Sequence, residues 1–212
     1  TSMVMFALRF CAHFIESKMK LSPVGILFVC SVLACIGLQL TSMATGFAMA
    51  FAALTIYGIG KTFFWPTMLA VAGDRFPRSG AVAMSLMGGI GMMSAGLIGA
   101  EGLGYAIDRF AGEALQAANA DLYSAYKSET PSQWLFLAEV NGLDGTKVGE
   151  AKGAEEKTAD QQTVIDADIQ GDRMPLKADS MIPAIMAIIY LGMMLIFKAR
   201  GGYTKLTVED QA

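Results

Sequence analysis

The sequence carries little charge outside one segment. Charged residues make up 17% of the chain, against 54% for the hydrophobic residue types. Of the 19 acidic residues, 14 lie between Asp108 and Asp179. The net charge of −3 therefore averages an acidic segment with an apolar remainder and does not indicate a partner. Because no tract is rich in lysine and arginine, we expect no nucleic acid partner.

Residues that bind metals or catalyse reactions are scarce. The three cysteines, Cys11, Cys30 and Cys35, lie in or beside apolar runs, so no disulfide framework is expected. The one histidine is His13, and no His, Cys, Asp or Glu cluster has the spacing of a metal site. The glycines between residues 88 and 104 lack the strand-turn-helix context of a nucleotide-binding fingerprint. We therefore expect no catalytic residues, no metal, no cofactor and no enzymatic activity.

What the chain does have is long apolar runs. They cover about residues 2–14, 23–40, 45–72, 80–107 and 181–198. About 20 apolar residues span the hydrocarbon core of a bilayer, and in lipid only helices or closed barrels satisfy the backbone. The pattern predicts an all-α membrane protein, a polytopic helix bundle. The first run is short, and we expect it to be the truncated end of a span in a longer parent protein.

Lysine and arginine residues occur in every second connection between these runs. They cluster in the first connection, in the third connection and around the start of the tail 199–212: Arg9, Lys18 and Lys20; Arg75 and Arg78; Lys198, Arg200 and Lys205. Five spans place these three groups on one face, and such residues mark the cytoplasmic side. We therefore predict cytoplasmic loops at Arg9 and at Asp74, Arg75 and Arg78. The predicted location is the cytoplasmic (inner) membrane, with multiple passes.

Residues 109–180 form a long acidic connection on the opposite, extracytoplasmic side. Its middle, 141–172, has few large apolar residues, and such segments bury too little surface to offset their ordering entropy. We expect the connection to be partly disordered and 141–172 to be dispensable. The alternative is a partner-binding or lid element in which Trp134, Leu135 and Phe136 rest on the membrane surface.

The fourth run is rich in small residues. At helical spacing, Gly91, Ala95 and Gly99 form one stripe. Small residues four apart let helix backbones approach closely in lipid. The pattern predicts tight packing against a neighbouring span.

Lys61 is the one cation inside the third run. A lysine at this depth is costly in lipid and is by default a functional candidate. On an uninterrupted helix, Tyr57, Phe64 and Trp65 share its face. One interpretation is a substrate-binding or coupling cation with aromatic walls. The other is a structural lysine that bonds to carbonyls or to a carboxylate elsewhere.

Pro66 follows Lys61 by five residues and removes one helical hydrogen bond. Gly58 and Gly60 loosen the same helix. We predict a gating hinge at these three residues.

Residues 58–108 resemble the tenth and eleventh spans of a major facilitator superfamily transporter. The resemblance is carried by Gly58-x-Gly60-Lys61-x-Phe63-Phe64-x-Pro66, by Asp74-Arg75-Phe76-Pro77-x-x-Gly80-Ala81, and by Gly99-x-x-Gly102-x-Gly104 followed by Asp108. The stretch from Arg9 to Pro23 resembles the loop between the eighth and ninth spans. The resemblance implies a partial C-terminal domain of that type, spans eight to twelve. It also implies a binding site between two six-helix halves that alternate access.

The function expected from these observations is secondary active transport of a small polar or anionic solute. The partners would be the lipid bilayer, the missing N-terminal half of the same transporter and the solute. Two alternatives stay open. One is a membrane scaffold or receptor that acts through the acidic connection, which requires that connection to be compactly folded. The other is a membrane-embedded enzyme, which requires a polar catalytic cluster.

Overall fold

A computed structural model of the protein describes residues 22–207 and residue 209. The predicted run at 2–14 and Arg9 lie outside these residues. Within them, the regular structure is helical apart from two isolated β-bridges, Lys127 with Leu143 and Ser132 with Val140. The elements are α1 Pro23–Ser42, α2 Phe47–Thr62, α3 Phe64–Arg75, α4 Gly80–Met93, a π-helical segment Ser94–Ala100, α5 Glu101–Ala118, α6 Ala120–Tyr126, α7 Gly145–Gly153, α8 Ala159–Asp179 and α9 Met181–Ala199. The all-α prediction is confirmed for the described residues.

Four helical stretches are long and apolar enough to cross a membrane. They are Pro23–Ser42, Phe47–Arg75, Gly80–Ala118 and Ala159–Ala199, with 20, 29, 39 and 41 residues. Each overlaps one of the four predicted runs that lie in the described residues. The last two exceed the prediction because their helices continue into polar sequence.

The described chain divides into two units. The first unit comprises the described residues up to Ile90 and those from Lys177 onward, and the second unit is Gly91–Leu176. In the first unit, α1 packs against α2, α3 and α9. Ser22 caps α1 by accepting a hydrogen bond from the backbone N–H of Gly25 at 3.2 Å, and Pro23 occupies the first turn. A serine followed by proline is a strong helix start. The serine hydroxyl accepts from a first-turn N–H, and the proline has no N–H of its own to leave unpaired.

Two glycines let α1 and α2 approach closely. A Cβ built on Gly37 would lie 2.6 Å from the backbone nitrogen of Tyr57, and one on Gly60 would lie 2.7 Å from that of Ala34. These positions therefore have the small-residue packing role that lipid-embedded helices use. Gly58 and Gly60 are buried, and Gly60 packs against α1; the gating hinge at Gly58, Gly60 and Pro66 stays a prediction.

The helix of the third run is interrupted at Phe63, close to Pro66. The α2 helix ends at Thr62 and α3 begins at Phe64, with Phe63 at φ −94° and ψ −6° between them. Pro66 has no N–H to donate to the carbonyl of Thr62, and its ring crowds that carbonyl. The break thus lies where the proline requires it, one turn before the proline itself.

The stripe of Gly91, Ala95 and Gly99 falls at the end of α4 and in the π-helical segment. Ala95 and Gly99 are exposed, and a Cβ on Gly99 would meet only Ser94 O, at 3.8 Å. Across residues 22–207, no neighbouring helix covers this stripe, so the predicted packing stays a prediction. In the first unit, Gly37 and Gly60 pack helices closely, and in the second unit Gly171 of α8 packs against Ala111 of α5.

The second unit has a core of its own, to which residues 141–172, expected from composition to be largely disordered, contribute two helices. Leu115 of α5, Val148 of α7, and Val164 and Ala167 of α8 are buried together. Partly buried side chains pack around them: Ala114, Leu122, Tyr123, Tyr126 and Leu143. The expectation counted apolar residues within the segment alone. Five of these nine residues lie outside 141–172: Ala114, Leu115, Leu122, Tyr123 and Tyr126.

Local capping supports these helices. Thr158 and Gln161 form a capping box: the Thr158 hydroxyl accepts from the Gln161 N–H at 3.2 Å, and the Gln161 side chain accepts from the Thr158 N–H at 3.0 Å. Asp144 accepts from the N–H of Thr146 at 2.9 Å and starts α7. These caps fix both helix starts within the segment that composition alone marked as flexible.

Candidate functional site

Lys61 lies at the middle of the apolar stretch Phe47–Arg75, with 14 residues on either side. Its Nζ atom lies 5.8 Å from the centroid of the Tyr57 ring, one helical turn earlier. That separation is within the range of a cation–π interaction. The Lys61 side chain is exposed, and among the described residues no carboxylate lies within 4.0 Å of its amine.

The other predicted aromatic residues, Phe64 and Trp65, lie on a different helix from Lys61. Phe64 is half-buried, and Trp65 is 43% exposed, both on α3 beyond the break at Phe63. The predicted common face assumed one uninterrupted helix from Tyr57 to Trp65, and the break invalidates that assumption. The structure brings Lys61 and Tyr57 together. Gly37 fixes the backbone of Tyr57 against α1.

A second arrangement of polar residues surrounds Asp74, at the end of α3. The Tyr203 hydroxyl donates to Asp74 Oδ2 at 3.1 Å, and Lys205 Nζ lies 3.3 Å from Asp74 Oδ1. The backbone N–H of Leu206 donates to the Asp74 carbonyl at 3.0 Å. The side chain of Asp74 is only 16% exposed. We call this set of contacts, together with those of Arg75, the tail clasp.

Arg75 contributes to the tail clasp in two ways: its guanidinium group lies over aromatic rings, and one of its N–H groups donates a hydrogen bond. Its guanidinium carbon lies 4.7 Å from the ring centroid of Phe197 and 6.0 Å from that of Tyr203. Its Nη1 atom donates to the carbonyl of Thr204 at 3.1 Å. A planar guanidinium suits such a position because it stacks on rings while it donates in its own plane. The predicted turn residue Arg78 is exposed.

The end of α9 explains why the tail returns to Asp74. Gly202 N–H donates to the Phe197 carbonyl at 2.8 Å and Gly201 N–H to the Lys198 carbonyl at 3.3 Å, the pattern of a Schellman motif. Gly201 and Gly202 have φ of +94° and +110°. These left-handed values favour glycine, and they reverse the chain so that Tyr203 contacts α3.

The environment of Tyr203 favours its neutral form. Burial, followed by the hydrogen bond to Asp74 and the charge of that carboxylate, raises the pKa of Tyr203 from 10.0 to about 12, against an opposing effect of Arg75. The docked tail therefore gains from the neutral phenol below about pH 10. It loses this contribution progressively as the pH rises to about 12.

We expect a Tyr203→Phe variant to reveal this shift. In a tyrosinate absorbance titration, the difference between the wild type and Tyr203→Phe should titrate near pH 12 rather than near pH 10. A difference that titrates near 10 would show that the phenol is not held at Asp74.

Sequence reasoning missed the tail residues of this clasp. It assigned residues 199–212 only to a cytoplasmic tail. The Gly201-Gly202 pair directly after an apolar helix was a signal for a chain reversal. It could not identify the partner, because 129 residues separate Tyr203 from Asp74.

Comparison of the chain with protein families, with curated proteins and with solved structures found no match. The account of its function therefore depends on the residues and geometry above. The two arrangements that carry it are Lys61 with Tyr57 at the middle of an apolar stretch, and the tail clasp at the end of that stretch.

Proposed function

We propose that this chain is the C-terminal part of a secondary active transporter of the major facilitator type. It would move a small polar or anionic solute across a cytoplasmic membrane by alternating access. The observation that carries the proposal is Lys61, a cation at the middle of a 29-residue apolar stretch, beside a helix break.

The energetics of Lys61 support a ligand or coupling role. A lysine at the centre of a membrane helix costs about 2.5–3.5 kcal/mol on insertion scales. A cation–π contact such as that with Tyr57 returns about 0.5–1 kcal/mol at an exposed site. The remainder favours an environment with water or negative charge around the amine. A solute cavity between two helix bundles provides both.

The helix break at Phe63 supports the same interpretation. Interrupted helices are tolerated at membrane depth where they line a cavity, and in transporters they form substrate and ion sites. Pro66 leaves the carbonyl of Thr62, the residue directly after Lys61, without its helical donor. A cation and an incompletely paired carbonyl so close together suit a polar or anionic solute.

The tail clasp supports the proposed membrane arrangement. It joins the Asp74 turn to the tail through the Tyr203 and Lys205 side chains, so these two segments lie at one end of the first unit. The charge pattern independently predicts that both segments face the cytoplasm. Because Asp74 ends one apolar stretch and Tyr203 follows another, the clasp couples the cytoplasmic ends of two proposed spans.

Solute uptake by the complete transporter tests the proposal. Lys61→Ala should remove uptake driven by an ion gradient while the protein remains in the membrane. Undiminished uptake would reduce Lys61 to a structural lysine and remove the main support for the function.

A second candidate function is a membrane scaffold or receptor that acts through the second unit. It is favoured by the folded core of Leu115, Val148, Val164 and Ala167, since a compact acidic connection was its requirement. A receptor or scaffold does not need a mid-membrane amine. The uptake measurement on Lys61→Ala therefore separates the two functions.

A further inference from the structure

Residues 134–138 form an exposed turn in the second unit. Leu137 N–H donates to the Trp134 carbonyl at 3.0 Å, which closes a tight turn around Leu135 and Phe136. Trp134 faces inward, whereas Leu135 is 61% exposed and Phe136 is 92% exposed. We call Leu135 and Phe136 the apolar tip. The structure thus divides the three residues that sequence analysis grouped together.

Two hydrogen bonds hold the tip at a fixed level of the helical stretch behind it. The Trp134 indole donates to the Leu97 carbonyl at 3.0 Å, and the Tyr105 hydroxyl donates to the Ala138 carbonyl at 2.9 Å. The rings of Trp134 and Tyr105 lie 6.3 Å apart. Gly102 makes room for the indole, because a Cβ there would lie 2.9 Å from it. The tip is therefore anchored on both sides.

The anchor contacts the stretch Gly80–Ala118 near the point where its uncharged part ends and its charged residues begin. Leu97, Ile98 and Leu103 are exposed apolar residues beside the anchor. The first charge of the stretch is Glu101, and Asp108 and Arg109 follow. Tryptophan and tyrosine with satisfied polar groups are typical of this boundary in membrane proteins.

The tip does not serve the folding of its own unit. Leu135 has φ of +53°, a left-handed conformation that a side chain with a Cβ adopts at a cost. An exposed leucine in such a conformation contributes no buried contact to offset that cost. Backbone strain of this kind points to a function for the residue.

We propose that Leu135 and Phe136 insert into the interfacial layer of a lipid bilayer and anchor the second unit to it. The inference depends on the proposed membrane location. Lipid fits the tip because residues 131–138 carry no charge and the helix beside it is apolar. The second unit has 14 acidic and 6 basic residues, so an anionic headgroup is not the attraction. The partner of the apolar tip is therefore the interfacial layer of a neutral lipid bilayer, with the acyl chains beneath it.

The test measures the depth of a spin label in the full chain, reconstituted in phosphatidylcholine vesicles. Cys11, Cys30 and Cys35 are replaced by alanine, and Phe136→Cys carries the label. Glu150→Cys on α7 is the exposed control, and Ile188→Cys on α9 reports whether the chain is in the bilayer. Accessibility to oxygen, which concentrates in lipid, is compared with accessibility to a water-soluble nickel chelate.

We expect the Phe136 label to favour oxygen over the chelate, as at Ile188 and unlike Glu150. A Phe136 label as open to the chelate as Glu150 overturns the inference while a lipid-exposed Ile188 upholds the membrane location. A label shielded from both reagents shows a protein cover and overturns it too. A water-exposed Ile188 contradicts the membrane location itself.

A second measurement keeps the native cysteines. In Trp65→Phe, Trp134 is the one remaining tryptophan, next to the tip. Its fluorescence should be quenched by brominated phosphatidylcholine, and less so when Leu135→Ser and Phe136→Ser are added. Equal quenching with and without these two substitutions overturns the inference.

Discussion

In the complete transporter, Lys61→Ala is expected to lower solute uptake roughly ten- to a hundredfold. A hydrogen bond to a charged group contributes about 1.5–3 kcal/mol, and each 1.4 kcal/mol is about tenfold in an equilibrium constant. Lys61 makes no ion pair within the described residues, so its removal leaves no buried carboxylate unpaired among them. Protein level in the membrane should therefore stay unchanged. Initial uptake rates, normalised to protein, provide the measurement.

Two further variants sharpen this result. Lys61→Arg should restore little uptake, because a guanidinium is larger and differently shaped than an ammonium group. Lys157→Ala, an exposed lysine between α7 and α8, is the matched control and should behave as wild type. Loss of uptake in Lys157→Ala as well would indicate a general charge effect. Full uptake in Lys61→Ala contradicts the proposed role.

Leu115→Ala is expected to destabilise the second unit by about 2–5 kcal/mol. Leu115 is fully buried, and it joins α5 to Val148 of α7 and Val164 of α8. Its truncation leaves a cavity among side chains from three helices. Hydrogen exchange and limited proteolysis of residues 145–179 report the loss. Gln116→Ala, exposed on the same helix, is the control and should change stability by less than about 0.5 kcal/mol.

Deletion of 141–172 should have a larger effect of the same kind. It removes Val148, Val164 and Ala167, the buried partners of Leu115, and leaves only partly buried neighbours such as Leu122, Tyr123 and Tyr126. Composition alone predicted that the deletion would be tolerated, whereas the packed core predicts a loss of stability. Retention of the wild-type exchange pattern in Leu115→Ala, together with tolerance of the deletion, would restore the interpretation of a flexible loop.

The apolar helices were predictable because their signal is local. A run of about 20 apolar residues predicts a membrane-spanning helix without knowledge of the rest of the chain. Pro66 likewise indicated a disturbed helix near Lys61. The core of the second unit was harder to predict because its residues are far apart in sequence. Even so, the spacing of Val164, Ala167 and Gly171 on α8 marks a helix face. The capping box at Thr158 and Gln161 was a further local signal.

The candidate site was predictable only in part. Lys61 stood out through the cost of a cation in an apolar run, and Tyr57 follows from helical spacing. Phe64 and Trp65 lie on a separate helix, beyond the break at Phe63. The contact of Tyr203 with Asp74 depends on tertiary structure, because charge patterns assign a membrane side and not a partner.

Cysteine labelling in intact cells tests most directly whether these helices cross a membrane as proposed. Arg78→Cys and Glu150→Cys are introduced singly into the complete protein after Cys11, Cys30 and Cys35 are replaced. A reagent that does not cross membranes should label position 150 in intact cells, and position 78 only after the cells are opened. Labelling of both positions from the same side would contradict the proposed topology and the cytoplasmic position of the tail clasp.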